Sequence, residues 1–287
     1  MKTSHFLSNS LMLVISFVLF SCKPSVNELS TDWNVYGLKG RVKELHQWKY
    51  IADYQYGELI KKQLIDSTII YFNDNGKIER RLFEEINSPI GSVSGEEIFT
   101  YHDNMCISEK HTYTYWNNRT ELEKHITIND DYGDPIRYTI FNAAGQETYR
   151  TEYIYTDNRR LREVAIYYKN ELQSKKKFFE YDDQGMIKKY VEYDQNGLFD
   201  THLLAYDLKG NILTYTITDD EGKIIRETSY TYNDESLINK QIEHVTIDKR
   251  EDITNYSYKY DQHGNFIVKN ITSEMEKTIV QRVIIYY

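Results

Sequence analysis

The sequence predicts an all-β protein, a long antiparallel meander of repeated hairpins. Three observations predict it. A turn phrase recurs: an aromatic, Asp or Asn, two variable residues, Gly, one variable residue, then an aliphatic. Tyr181-Asp182-Asp183-Gln184-Gly185-Met186-Ile187 is the cleanest copy, and Tyr206-Asp207-Leu208-Lys209-Gly210-Asn211-Ile212 and Tyr260-Asp261-Gln262-His263-Gly264-Asn265-Phe266 repeat it. Composition leans the same way, with 27 Tyr and only 3 Pro in 287 residues, since aromatic and β-branched residues suit a pleated, half-buried surface. Glycines 185, 197, 210 and 222 are spaced by 12, 13 and 12 residues, too closely for crossover helices, so the connections must be local and antiparallel.

The N-terminus precedes the fold. Lys2 supplies a positive start and Leu11 to Phe20 an apolar run interrupted only by Ser16. That is the length of a signal segment, whereas a spanning helix needs about 20 apolar residues. The run ends in Leu19-Phe20-Ser21-Cys22, which resembles the bacterial lipoprotein signal. Residues 1–21 then form the signal peptide, and lipid on Cys22 is expected to hold the protein on a membrane leaflet. Residues 22–34 read as the lipidated Cys and a tether, and 35–287 as a single repeat domain. No dense acidic run follows Cys22, so an outer-membrane lipoprotein facing the periplasm is expected rather than a surface-exposed one. After lipidation Cys106 is left without a disulfide partner in the chain, and strand pairing must hold the fold together.

Within the domain each phrase has a physical reading. Asp or Asn opens a type I turn by accepting backbone hydrogen bonds from residues further on. Gly takes the left-handed position that other residues reach at a cost. The result is a four-residue hairpin connection with a bulged exit. About 8 residues remain per strand, and the mature length accommodates about 18 strands. Such a sheet must twist and curl; open, sandwich and barrel closures all remain compatible with the pattern. Alternation puts Tyr256, Tyr258 and Tyr260 on one face, as it does Tyr230 with Tyr232, Phe179 with Tyr181, and Phe99 with Tyr101. The same alternation puts Lys188, Tyr190 and Glu192, and Leu213, Tyr215 and Ile217, on the other face. Asn87 to Gly95, with Pro89, is the strongest loop signal and is expected to carry an elaborated loop.

The Tyr-Asp-x-x-Gly phrase resembles the YD repeat of RHS-type proteins. The segments Tyr36-Gly37-Leu38-Lys39-Gly40-Arg41-Val42-Lys43 and Gln281-Arg282-Val283-Ile284-Ile285-Tyr286-Tyr287 look like the ends of small Bacteroidota lipoproteins with such repeats. Large RHS proteins wind the repeat into a shell around a toxin. This chain is too short for a shell and shows no toxin segment, so the resemblance implies a style of fold and not encapsulation.

Function classes narrow by elimination. A mean hydropathy of −0.66 argues against a membrane-spanning body. A net charge of −9 gives no electrostatic reason to seek nucleic acid, and Lys175-Lys176-Lys177 reads as a solvated strand face. His102, Cys106 and His111 surround one turn, but alternation separates them and no fourth ligand is suitably spaced, so no metal site is expected. A nucleophilic Cys106 would need a positioned base and a water-excluding setting. The acids Asp182, Asp183, Asp194, Asp207, Asp219, Asp220 and Asp261 recur with the turns and read as turn caps rather than as calcium ligands. No cofactor motif is present. Trp33, Trp48 and Trp116 read as sheet packing. The expected function is a non-enzymatic envelope lipoprotein that binds or scaffolds a protein or glycan through a tyrosine-rich sheet face, with Tyr230, Tyr232, Tyr256, Tyr258 and Tyr260 as the candidate surface. The alternative is an envelope glycan hydrolase using paired turn carboxylates.

Overall fold

The computed structural model describes residues 31–88, 91–102, 107–116 and 119–287. The signal segment, Cys22 and Cys106 lie outside them. A one-turn helix, α1 (Asp32–Val35), precedes eighteen strands. These are β1 (Val42–Gln55), β2 (Glu58–Phe72), β3 (Ile78–Ser88), β4 (Gly91–His102), β5 (Ile107–Trp116), β6 (Arg119–Asn129), β7 (Pro135–Phe141), β8 (Glu147–Tyr155) and β9 (Leu161–Tyr168). They continue as β10 (Glu171–Tyr181), β11 (Ile187–Asp194), β12 (Gly197–Tyr206), β13 (Ile212–Thr218), β14 (Ile224–Tyr232), β15 (Ile238–Val245), β16 (Arg250–Tyr260), β17 (Phe266–Thr272) and β18 (Lys277–Tyr286).

Every strand pairs antiparallel with its neighbours in sequence, and β1 also pairs with β18. The meander therefore closes into an eighteen-stranded barrel. Closure removes both edges, each of which would otherwise expose a row of unpaired backbone groups. At the seam Leu45 opposes Ile284 and Lys49 opposes Val280. Asn265, 1% exposed, fastens one end of the seam. Its side-chain carbonyl accepts the Lys39 N–H at 2.7 Å, and its amide donates to the Lys39 carbonyl at 2.9 Å and to the Tyr286 hydroxyl at 2.7 Å.

The turns form as their residues require. Asp182 accepts the N–H groups of Gln184 and Met186 at 3.0 and 2.7 Å, and Asp207 those of Lys209 and Asn211, both at 2.8 Å. Gly185 and Gly210 sit at φ +81° and +85°. The regular unit at one rim is two strands long, because alternate turns lie at opposite ends of the barrel. At one rim the described turns end at Gly76, Gly133, Arg159, Gly185, Gly210, Ser236 and Gly264, with Arg159 and Ser236 taking the same positive φ without glycine.

The exit bulge changes which residues share a face. Tyr206 opposes Ile212 and Ala205 opposes Thr214, so the register skips Leu213; Lys188 is skipped in the same way opposite Tyr181 and Glu180. A skipped residue flips the alternation of everything beyond it. The sequence expectation placed Tyr190, Glu192, Tyr215 and Ile217 opposite the turn tyrosines. In the barrel they share the interior face with them, while Leu213 points outward. Two register shifts between Phe178 and Tyr181 likewise separate Phe179, which is 55% exposed, from the inward Tyr181.

Two apolar clusters line the interior. One joins Leu161, Val164, Ile166, Ile187, Tyr190 and Leu204. The other joins Leu38, Val42, Leu45, Ile70, Phe72 and Ile78, covered by Trp33 and Tyr36. The Trp33 indole donates to the Val42 carbonyl at 2.8 Å. The segment from Thr31 to Asn34, assigned to the tether from sequence, is thus already packed against the barrel. The expected elaborated loop is instead a hairpin: β3 runs to Ser88, β4 starts at Gly91, and Phe83 lies across Gly95 on the facing strand. The long projection is the β1–β2 hairpin, whose strands have 14 and 15 residues.

Candidate functional site

The candidate tyrosines all fall on the interior wall, where β14 to β17 are neighbours. In β16 the even-numbered residues from Asp252 to Tyr260 are part-buried, whereas Glu251, Ile253, Asn255, Ser257 and Lys259 are exposed. Tyr258 faces Tyr260 with ring centroids 6.1 Å apart and meets the edge of Phe266 at 5.7 Å. The structure therefore brings Tyr230, Tyr232, Tyr256, Tyr258 and Tyr260 onto one continuous surface.

Their hydroxyls are engaged by the wall. Tyr232 donates to the Ile212 carbonyl and Tyr258 to the Ile238 carbonyl, both at 2.7 Å. Tyr206 does the same to Ile187 at 2.8 Å, Tyr155 to Pro135 at 2.8 Å and Tyr101 to Ile78 at 2.9 Å; Tyr181 bonds the Leu161 carbonyl. Each of these tyrosines, near the end of one strand, braces the first residue of the strand before it. The pattern is an aliphatic or Pro followed about 20 residues later by Tyr, a spacing longer than the one the turn phrase advertises. Tyr256 donates to Gln241 at 3.1 Å, and Tyr260 accepts from the Asn233 amide at 2.7 Å. Burial raises the phenols of Tyr230, Tyr256 and Tyr258 and pushes that of Tyr232 up to about 12. The wall thus presents neutral ring faces at pH 7, with the hydroxyls committed to holding its shape.

Charged groups interrupt this wall. Lys269 of β17 opposes Tyr258, with its ammonium 4.9 Å from the Tyr256 ring centroid and 6.0 Å from that of Tyr258. Arg282 of β18 lies 3.7 Å over the Phe266 ring. Elsewhere Glu97, 4% exposed, is paired with Arg81 at 2.7 Å and Lys110 at 2.8 Å. On the next strand His125 bonds the Tyr138 hydroxyl through Nδ1 at 2.5 Å. A matching pair on β12 and β13 joins His202 Nδ1 to the Tyr215 hydroxyl at 2.6 Å, and Tyr190 stacks on His202 at 4.3 Å with the rings 6° from parallel. His202 Nε2 is buried without a hydrogen-bond partner among the described residues, with Glu192 at 3.8 Å. Burial and then Lys176 depress its pKa to about 3, so it is neutral at pH 7. Opposite Glu192, Asp200 is raised to about 6 by burial and by Glu192 and Asp219, against Arg226. Sequence periodicity could not reveal these clusters, because the bulges decide which side chains meet.

The other sequence candidates separate. The turn acids stand along the rims, where Asp182, Asp194, Asp207, Asp219 and Asp261 hold backbone N–H groups. His102 is exposed at the end of β4, while His111 sits at mid-strand on the outer face, bonded to Glu109. Among the described residues no group of three His, Cys, Asp or Glu could hold a metal. The lysine run divides between faces: Lys175 pairs outside with Glu163 at 2.9 Å, while Lys176, 6% exposed, pairs inside with Glu192 at 3.3 Å. Trp33 is structural and Trp48 packs outside against His46.

The outer face sets ion pairs among exposed aliphatics such as Ile98, Ile154, Leu203 and Ile253. Arg80 meets Glu96 at 2.6 Å, Lys124 meets Glu109 at 2.8 Å, and Arg150 meets Glu147 at 2.6 Å and Glu152 at 3.0 Å.

No family model and no curated protein matches the sequence. Among solved structures the chain is similar to a porin-like protein from Bacteroides uniformis, at a TM-score of 0.43 and 10% identity over 86% of this chain and 98% of that one. It is also similar to a DUF1329 family protein from Desulfovibrio piger, at a TM-score of 0.15 and 6% identity over 84% of each chain. A third is a putative outer membrane lipoprotein-sorting protein domain from Vibrio parahaemolyticus, at a TM-score of 0.13 and 8% identity over 84% of this chain and 83% of that one. At these scores and identities none carries an argument about what this chain does.

Proposed function

We propose that this chain is a non-enzymatic lipoprotein of the bacterial envelope, anchored through Cys22, whose barrel stands in water and binds its partner on the interior tyrosine wall. The resemblance of its turn phrase to YD repeats of small Bacteroidota lipoproteins and its signal-like start support the compartment. The observation that carries the reading is the division of chemistry between the two faces. A barrel that spans a bilayer turns an apolar band about 25 Å tall outward, and an outward Arg or Lys at the bilayer midplane costs about 2–4 kcal/mol. Here the Arg150–Glu152 pair lies at the outward middle of β8 and Arg80–Glu96 lies outward on β3 and β4, while Tyr230, Tyr232, Tyr256, Tyr258 and Tyr260 face inward. About eight strands make a barrel that wall side chains just fill, and 16–18 leave a channel, so eighteen can admit a ligand. The hydrolase alternative is weaker, because the turn acids are spread along the rims rather than paired, and Asp182, Asp194, Asp207, Asp219 and Asp261 are committed to backbone.

Fractionation tests the reading. Cys22→Ala should move the protein from the membrane pellet to the soluble envelope fraction. A Cys22→Ala protein that stays in the pellet after high-salt washing would show that the barrel itself holds the membrane.

A further inference from the structure

Two cations of the interior wall, Lys269 and Arg282, have no described acid within ion-pair distance. Lys269 opposes Val280, and Val280 opposes Lys49 across the seam; Arg282 lies two residues along β18 on the same face and opposes Gln47. Strands are about 4.8 Å apart, so the Lys49 and Lys269 backbones stand about 10 Å apart with Arg282 on the strand between them. Arg282 donates from Nε to Gln47 at 2.9 Å, while its Nη1 is buried with no hydrogen-bond partner among the described residues. Lys49 is paired with Glu276 at 3.2 Å and opposes Asp66, whose pKa is raised by burial and then by Glu85, against Lys49 and Arg81. Burial, Arg282 and Lys49 all depress the Lys269 pKa; burial pushes that of Arg282 down to about 10 against Tyr36. The guanidinium therefore stays charged at pH 7. A buried, unanswered donor beside a second cation is costly, and a bound oxyanion removes that cost by accepting from the free edge of the guanidinium and from the ammonium.

We propose that Lys269 and Arg282, flanked by Lys49, form an oxyanion site on the interior wall that takes a carboxylate or phosphate group, with Tyr256, Tyr258 and Phe266 as the platform for the body carrying it. The site rests on the reading of the interior face as the binding face. A sugar acid and a phosphorylated compound share the required chemistry, and the test separates them.

The full-length lipidated protein, in a non-ionic detergent, is heated with inorganic phosphate, with glucuronate, with glucose and with sodium chloride at matched ionic strength. Phosphate or glucuronate should raise the midpoint above the chloride control, and glucose should not; the more effective anion identifies the source. Arg282→Gln and Lys269→Met should each weaken the anion response at least tenfold in apparent affinity. Without anion they should be no less stable than the wild type, since each removes a repelling cation. Arg282→Lys should give an intermediate response. The proposal is overturned if neither anion exceeds chloride for the wild type, or if folded Arg282→Gln and Lys269→Met keep the full response. Because the wild-type comparison stands alone, a variant that fails to fold leaves it decisive. An anion response in a protein that stays membrane-bound as Cys22→Ala keeps this site and overturns only the lipid-anchored reading.

Discussion

The recurrent tyrosine is a brace as well as a ring. Removing only the hydroxyl separates these roles. Tyr232→Phe and Tyr258→Phe should each lower stability by about 0.5–1.5 kcal/mol, read as a lower urea midpoint with an unchanged slope, while the ring wall persists. His202 and Asp200 offer a second prediction with opposed signs. His202 is depressed to about 3 in the fold, so its contribution is complete above its ordinary pKa of about 6.5 and is lost as pH falls from there. Asp200 is raised to about 6, so the fold favours its protonated form and stability is lost as pH rises from about 4 to 6. The two effects offset each other between pH 4 and 6. Asp200→Asn should therefore raise the urea midpoint at pH 7, leave it nearly unchanged at pH 3, and make the decline below pH 6.5 steeper than in the wild type. Equal slopes in the two proteins would contradict this assignment.

At the scale of elements, turns and strands obey local chemistry while seams depend on single buried contacts. Asn265→Ala removes three hydrogen bonds that tie Lys39, the β16–β17 turn and the end of β18 together. It should cost about 2–3 kcal/mol, since it also strands the Lys39 backbone groups. Thermal unfolding of the variant checks this, and a loss below about 0.5 kcal/mol would show that the seam holds without it. Gly95→Ala should also destabilise, because an added Cβ would meet Phe83 and stand 2.5 Å from the Tyr113 carbonyl.

Much of this level was legible in the sequence. Asp182, Gly185 and their counterparts announce most turns of one rim, and the turn spacing yields the number of strands. What the sequence concealed is the effect of one skipped residue at each exit. Lys188 and Leu213 look like ordinary strand positions, yet skipping them rotates Tyr190 and Tyr215 into the interior. The loop signal at Asn87 to Gly95 also misled, because Gly95 serves a close approach by Phe83 within a strand.

For the whole molecule, the decisive contact is the most distant one. Val42 opposes Tyr286 at a seam spanning nearly the whole chain, and no local pattern encodes that meeting. Closure gives the two faces of one sheet different surroundings: in the proposed reading the outer face meets water, while the tyrosines, Lys269 and Arg282 enclose the space within. The same strands left open would have offered both faces to one medium.

The most direct test of this division is cysteine labelling along β16 in a Cys106→Ala background, comparing Tyr256→Cys and Tyr258→Cys with Ser257→Cys and Lys259→Cys. In native membranes, before any detergent is added, a bulky polyethylene-glycol maleimide should modify positions 257 and 259 quickly and positions 256 and 258 slowly, and a small maleimide should narrow the difference. Protection of 257 and 259 that detergent relieves would place the outer face in lipid, and uniform labelling of all four positions would mean that the sheet is not closed; either result would contradict a water-facing barrel with its binding wall inside.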